Sequence, residues 1–317
     1  MSGFGVFGKL PWQADFARRS AAGALFTSWD DWLVSSIEWA HQRAGDPWRS
    51  AFSRGAVWAF LYHPPGQSEE VLAGAMAPSA DQAGRLFPVS IAAPIALERE
   101  TPPRPELVPI VLEDVWQAAS DLAAEVPALS PSTLDQRLDS PSWSCSPAAE
   151  AAATYQQWIA ELPVSELWAL LYGQQQPEQP ARALRLLIEA VRPCRDVEHP
   201  STPLSLWLPL GQASGAAVCF WLDLTRRLAN WRKTVPCFFW SHDGTSGRML
   251  LHLGVPPPST TAELWDSNGQ RDEFCDLASP VGDHQVAALP ELPGDLADAL
   301  RTGRAVEHLL RCATRPN

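Results

Sequence analysis

The apolar positions of this 317-residue chain change period several times, and each change predicts an element. Residues 4–10 are short, apolar and strand-compatible. From Leu25 to Ala44 the positions Leu25, Phe26, Trp29, Trp32, Leu33, Ile37 and Ala40 recur at three and four, which predicts an amphipathic helix. Three almost continuous apolar runs follow: AVWAFLY (56–62), VLAGAMA (71–77) and PVSIAAPI (88–95). Such runs are expected of central strands covered on both faces. A polar loop, 78–87, separates the last two. The proline-rich stretch 98–109 breaks the pattern, and helices are predicted over 110–126, 148–162, 164–173 and 181–191. Between the first two of these, 128–147 reads as a surface loop. Strand patterns return in SLWLPL (205–210), AAVCFWLDL (216–224), VPCFFWS (235–241) and RMLLHLG (248–254). A helix over 259–266 and a closing helix, DLADALRTGRAVEHLL, complete the chain.

Strand-rich regions on either side of a helical middle predict an α/β fold: a three-layer α/β/α sandwich around one mixed sheet, with an additional C-terminal helix. On this reading residues 1–267 form the α/β domain and 268–317 a C-terminal extension. Both strand-rich regions feed the same sheet, so residues 1–130 are not expected to fold alone.

Composition then narrows the function classes. At 46% hydrophobic and 19% charged residues the chain can bury a substantial core. Its 36 acidic residues outnumber 24 basic ones, for a net charge of -12. That balance repels phosphate backbones and anionic headgroups, which argues against nucleic-acid or membrane-surface binding and leaves basic protein partners open. The N-terminus lacks the layout of a signal peptide, no apolar run approaches the roughly 18 residues of a membrane span, and the six cysteines are scattered without a C-x-x-C pair. Together these features predict a bacterial cytoplasmic protein without membrane insertion. Fifteen tryptophans exceed the usual share; some must be core, and the excess implies a contact surface.

The opening GFGVFGKL (3–10) fits two phosphate-binding patterns, G-x-G-x-x-G and most of G-x-x-x-x-G-K-[ST]. Only Met1 and Ser2 precede Gly3, however, Pro11 follows close behind Gly8, and Leu10 occupies the Ser/Thr place that should ligate magnesium. The glycines are therefore read as structural. The seven histidines include no i, i+3 or i+4 pair, and no G-x-S-x-G elbow is present. His242-Asp243 and GTSG (244–247) read as a turn between two strands. No catalytic constellation, metal site or cofactor is predicted.

Two polar interruptions do stand out. Asp15 and Arg18 have the i, i+3 spacing of a pair on a helical turn, and Asp81 and Arg85 the i, i+4 spacing of a helical ion pair. Each pair either pins its own loop or forms a recognition spot for a partner or small anion. For Asp81 and Arg85 the flanking Pro78 and Pro88 favour bracing; for the adjacent Arg18 and Arg19, which cannot both turn inward, exposure is expected. Trp12 is the candidate exposed aromatic beside them.

Four landmarks carry a resemblance: GVFGKLPWQADFARR (5–19), Trp29-Asp30-Asp31-Trp32-Leu33, Val57-Trp58-Ala59-Phe60 and AGAMAPSADQAGRLFP (73–88). In order and spacing the chain resembles the TagF (ImpM) family, accessory proteins of bacterial type VI secretion systems, most clearly over residues 3–95. SLWLPLG (205–211) and LGVPPPSTTAEL (253–264) look like later family landmarks. The resemblance implies a three-layer α/β/α domain without known catalysis. It further implies a cytoplasmic, post-translational restraint on secretion that binds type VI secretion proteins, foremost the forkhead-associated scaffold protein of the apparatus. Trp12, Asp15, Arg18, Arg19, Asp81 and Arg85 are then the candidate partner-binding residues. Two other readings stay open: an assembly adaptor of the apparatus, and a small-anion sensor or enzyme built on an Asp/Arg pocket.

Overall fold

Burial alternates along the strands, and that alternation sets the layers. In β3 (Trp58–Tyr62) Phe60 and Tyr62 are buried on one side, while Ala59 and Leu61 are buried on the other. The structure, a computed structural model, describes all residues except 1–2, 44, 65–69, 98–103, 140–142, 174–177, 198–201, 213–214, 233, 242–246, 266–272, 302 and 315–317. Its other strands are β1 (Gly5–Gly8), β2 (Ala17–Arg19), β4 (Glu70–Ala77), β5 (Val89–Ala96), β6 (Leu204–Gly211), β7 (Cys237–Ser241), β8 (Gly247–Leu253) and β9 (Cys275–Asp276). They form one sheet in the order β2-β1-β5-β4-β3-β7-β8-β6-β9. Neighbours are antiparallel except β6 and β9, which run parallel. The two strand-rich regions meet at β3 and β7, where Phe60 lies opposite Phe239. The mixed sheet with helices on both faces is the α/β sandwich that the hydrophobic pattern predicts.

The helices in chain order are α1 (Ala24–Arg43), α2 (Gly45–Phe52), α3 (Val108–Val111), α4 (Glu113–Glu125), α5 (Pro131–Asp139) and α6 (Ala148–Glu161). They continue with α7 (Val164–Tyr172), α8 (Gln179–Val191), α9 (Gly215–Ala229), α10 (Thr260–Trp265), α11 (Asp283–Val286), α12 (Gly294–Arg301) and α13 (Val306–Ala313). Helices α1, α2 and α10 cover one face over an aromatic layer. There Trp29 stacks on Phe60 with ring centroids 4.0 Å apart. The Trp32 indole donates to Pro256 O at 2.8 Å, and Ser36 Oγ to Thr261 Oγ1 at 2.9 Å, so the first helix is sealed by residues more than 200 positions later. Helices α4, α6 to α9 and α13 pack around the core of the opposite face. In that layer the Trp116 indole reaches Phe60 O at 3.1 Å.

Three expectations need correction. AAVCFWLDL belongs to helix α9 and is not a strand; Ala217 to Thr225 are all buried. A segment enclosed on every side loses its polar face, and its apolar run then has no period to read. The helical signal lay just downstream, where the enclosed Asp223 carboxylate accepts from Arg226 at 2.8 Å and Arg227 at 2.7 Å, at i+3 and i+4. Within 128–147, read as a surface loop, α5 forms with Leu134 and Leu138 buried one turn apart. The closing helix is broken into α12 and α13 around Gly303, whose φ of +59 ends a helix easily and suits no β-carbon well. Residues 242–246, assigned to a turn, lie outside the described residues.

Downstream of 267, β9 joins the sheet and α13 packs against α9. Of the tryptophans only Trp12, Trp39, Trp158 and Trp240 are partly exposed; the others are buried. The excess is therefore mostly core. Among the described residues no helix is long and apolar enough to cross a membrane.

Two outcomes follow from these contacts. A chain cut after residue 140 leaves β3 without β7 and α1 without α10, so it should melt without cooperativity; a sharp, soluble transition would show that the N-terminal strands are a unit of their own. The second concerns His252, which is 1% exposed between Ser205 Oγ at 2.9 Å and Thr260 Oγ1 at 3.3 Å. Burial pushes its pKa from 6.5 down to about 3. Below 6.5 the unfolded chain gains a proton that the folded chain refuses. The stabilisation is thus complete above that pH and lost towards pH 3, with a slope approaching about 1.4 kcal/mol per pH unit. Denaturant titrations across this window should be flatter for His252→Gln than for the wild type; equal slopes would remove the histidine as the cause.

Candidate partner-binding surface at the end of the N-terminal strands

The surface is built on a close approach. Gly8, at φ +132, sits where a β-carbon would collide with the Pro88 carbonyl, so only glycine lets β1 lie against the start of β5. The glycines that mimic a phosphate loop thus serve strand packing: Gly5 and Gly8 begin and end β1. Lys9 follows, 8% exposed, and its carbonyl accepts from Ser79 Oγ at 2.7 Å. The chain therefore carries a lysine inward beneath the 78–87 loop.

That loop closes on Asp81. An Ala80–Leu86 bridge and Gly84 at φ +77 turn the backbone, and the Asp81 carboxylate fills the space inside the turn. Oδ1 accepts from the Ala83 and Arg85 backbone N–H groups at 3.0 and 2.9 Å. Oδ2 accepts from Arg85 Nε at 2.6 Å and Lys9 Nζ at 3.0 Å. Four donors saturate a carboxylate. The Asp81 side chain is 0% exposed. Burial alone would raise its pKa, but the hydrogen bonds from Arg85 and Lys9 outweigh it and hold the carboxyl well below the ordinary range. The i, i+4 spacing of Asp81 and Arg85 therefore belongs to a turn and not to a helix. Arg85 spans both environments: its side chain is 62% exposed, yet Nη2 donates to Ala14 O at 2.6 Å, tying the loop to the segment after β1.

The segment from Trp12 to Arg19 carries the remaining candidates. Asp15 and Arg18 do not pair on a helical turn, because residues 17–19 form β2. Asp15 is exposed, and Arg18 pairs with Asp30 of α1. The Asp30 carboxyl is pushed up by burial, against the pull of Arg18 and with the push of neighbouring Asp31. Arg19, one residue on and on the opposite face of the strand, pairs with Asp135 of α5. Trp12 is half-buried against the core, not exposed, and its indole N–H has no hydrogen-bond partner among the described residues.

The exposed aromatic here is Phe16, at 45%, which composition and spacing did not single out. Its ring lies edge-on to Phe87 at 4.8 Å and parallel to Phe7 at 5.8 Å, with Lys9 Nζ 5.4 Å from its centroid. The signal was its place between Asp15 and Arg18, where an apolar residue interrupts a polar run. The result is a surface that carries an exposed ring, the half-exposed Arg18 held by Asp30, and the exposed Arg85 held by Asp81. Among the described residues no three His, Cys, Asp or Glu side chains converge to hold a metal ion.

The two cations should behave differently when removed. Lys9→Met strips Asp81 of its enclosed partner and should lower the melting temperature by several degrees, whereas Arg85→Ala leaves Lys9 in place and should lower it less. Because the Asp81 carboxyl is depressed below its ordinary 3.8, the contribution is complete above that value and is lost as pH falls below it. Thermal melts of both variants check the order; a Lys9→Met protein as stable as the wild type would show that the pair does not hold the loop.

Comparison with known proteins gives one family match, over less than half of the chain. Residues 5–140 match the family described as TagF N-terminal domain, type VI secretion system-associated. The crystal structure of PA0076 from Pseudomonas aeruginosa PAO1 is 18% identical, covers 84% of this chain and 96% of that chain, and superposes with a TM-score of 0.47. A search of curated proteins finds no match.

Proposed function

We propose, from the match of residues 5–140 to the TagF N-terminal domain family associated with type VI secretion, that the protein is a non-enzymatic accessory factor that restrains secretion post-translationally by binding a component of the apparatus. The domain match supports the accessory role in type VI secretion, and the observation that carries a binding mode is the Phe16–Arg18–Arg85 surface within that domain. A large exposed ring with two arginines on the same stretch of surface has the composition of an interface anchor. The partner that fits is the forkhead-associated scaffold protein of the apparatus, met in the cytoplasm. Asp81 is enclosed, so its part in recognition passes through Arg85 and the turn it shapes. Asp15, Arg19 and Trp12 flank the contact: the first reaches solvent, the second holds α5, and the third wedges the segment against the core.

The sign of regulation and the contact are tested separately. Deleting the protein in its native cell should raise secretion if it restrains the apparatus; a loss of secretion would instead make it an assembly adaptor. Pull-down from the same cell should recover the scaffold protein. Phe16→Ala and Arg18→Ala, each of which loses only a partly exposed contact and should stay cooperatively folded, should weaken that capture by about 1–3 kcal/mol. Folded variants that capture it normally would remove this surface from the interaction.

A further inference from the structure

The turn closed by Asp81 also forms one wall of an open groove of about 450 Å3. Gly84 and Leu86 stand on one side; Arg49, Ser50, Ser53 and Arg54 stand on the other. The second wall is α2 and the turn that ends it, a segment anchored in the core by Trp48 and Phe52. Ser53 Oγ donates to the Arg49 carbonyl at 2.9 Å and so spends its proton on the backbone. The charged groups of this wall are thus the two guanidinium groups.

Among the described residues no carboxylate answers either of them. Most described arginines of this acidic chain have a carboxylate partner, but Arg49 and Arg54 make no ion pair among the described residues. Asp46, on the first turn of α2, is exposed and makes none with Arg49. The other wall, Gly84 and Leu86, carries no charged side chain of its own. His41, whose pKa is lowered by burial first and then by Arg49 and Lys9, adds no negative charge to offset them. A chain with a net charge of -12 therefore presents a local positive groove on rigid elements.

We propose that this groove binds a carboxylate-rich segment of a partner protein, with Arg49 and Arg54 as its anchors. The proposal rests on the reading that this end of the molecule meets a protein, and it names the chemistry of the meeting. Guanidinium forks match carboxylates two bonds at a time, and the surrounding negative charge excludes long polyanions while tolerating a short acidic stretch.

The probe is a hexaglutamate peptide followed by calorimetry, with hexalysine and inorganic phosphate as the other arms. Hexaglutamate should bind, weaken with added salt, and weaken by about ten-fold or more in the double variant Arg49→Glu/Arg54→Glu. Arg49→Lys/Arg54→Lys, which keeps charge and loses the fork, should fall between. Melting curves confirm that each variant is folded; these side chains lie at the surface. No hexaglutamate binding, or equal binding by the charge-reversed variant, would overturn the proposal. Phosphate binding of equal strength, lost in the same variant, would also overturn it by making the groove a small-anion site. Peptide binding in a protein that captures no secretion component would support the groove and sink the proposed function alone.

Discussion

One carboxylate, that of Asp81, organises the N-terminal end of the molecule. Its four donors come from two places: the 83–85 backbone and Arg85 within its own turn, and Lys9 on the exit from β1. A buried ion pair gains little over an apolar replacement, but removing one partner strands the other at a high cost. The pair therefore acts less as a reservoir of stability than as a specification of which loop lies over which strand. Everything exposed nearby inherits its position from that choice: Arg85 reaches Ala14 O, Phe16 packs against Phe87, and Leu86 faces α2 across the groove.

The close approach at Gly8 makes this choice possible. Were β1 held away from β5 by a side chain, Lys9 would not enter beneath the 78–87 loop, and Asp81 would be left with its turn alone. Strand packing, buried electrostatics and the surface thus form one chain of dependence. It starts from the glycines that imitate a nucleotide motif, and the lysine of that imitation has a carboxylate for its partner.

Much of the fold was legible. Strands β3, β4 and β5 show in the sequence because they are enclosed on both faces, and α1 shows because its apolar positions keep a helical period over twenty residues. The same enclosure hid α9, where burial on every side erased the polar face that distinguishes helix from strand; its arginines at i+3 and i+4 from Asp223 were the surviving clue. Within the candidate surface, Asp81 with Arg85 was visible because the spacing is local. Lys9 with Asp81 was not, because nothing local links residues 72 positions apart until the strands pair. Arg18 and Arg19 were readable as a doublet that must divide; their partners, Asp30 and Asp135, required the fold.

That division has a consequence for solubility. A nine-stranded sheet with so apolar an interior presents two rims to the crowded cell, and exposed rims invite another chain to add a strand. Here one rim is the two-residue β9 and the other the three-residue β2. Arg18 and Arg19 tie β2 to helices above and below the sheet, so a newcomer meets a short rail pinned to both layers and crowded by guanidinium groups. Such an edge offers a second copy few free backbone groups to pair with.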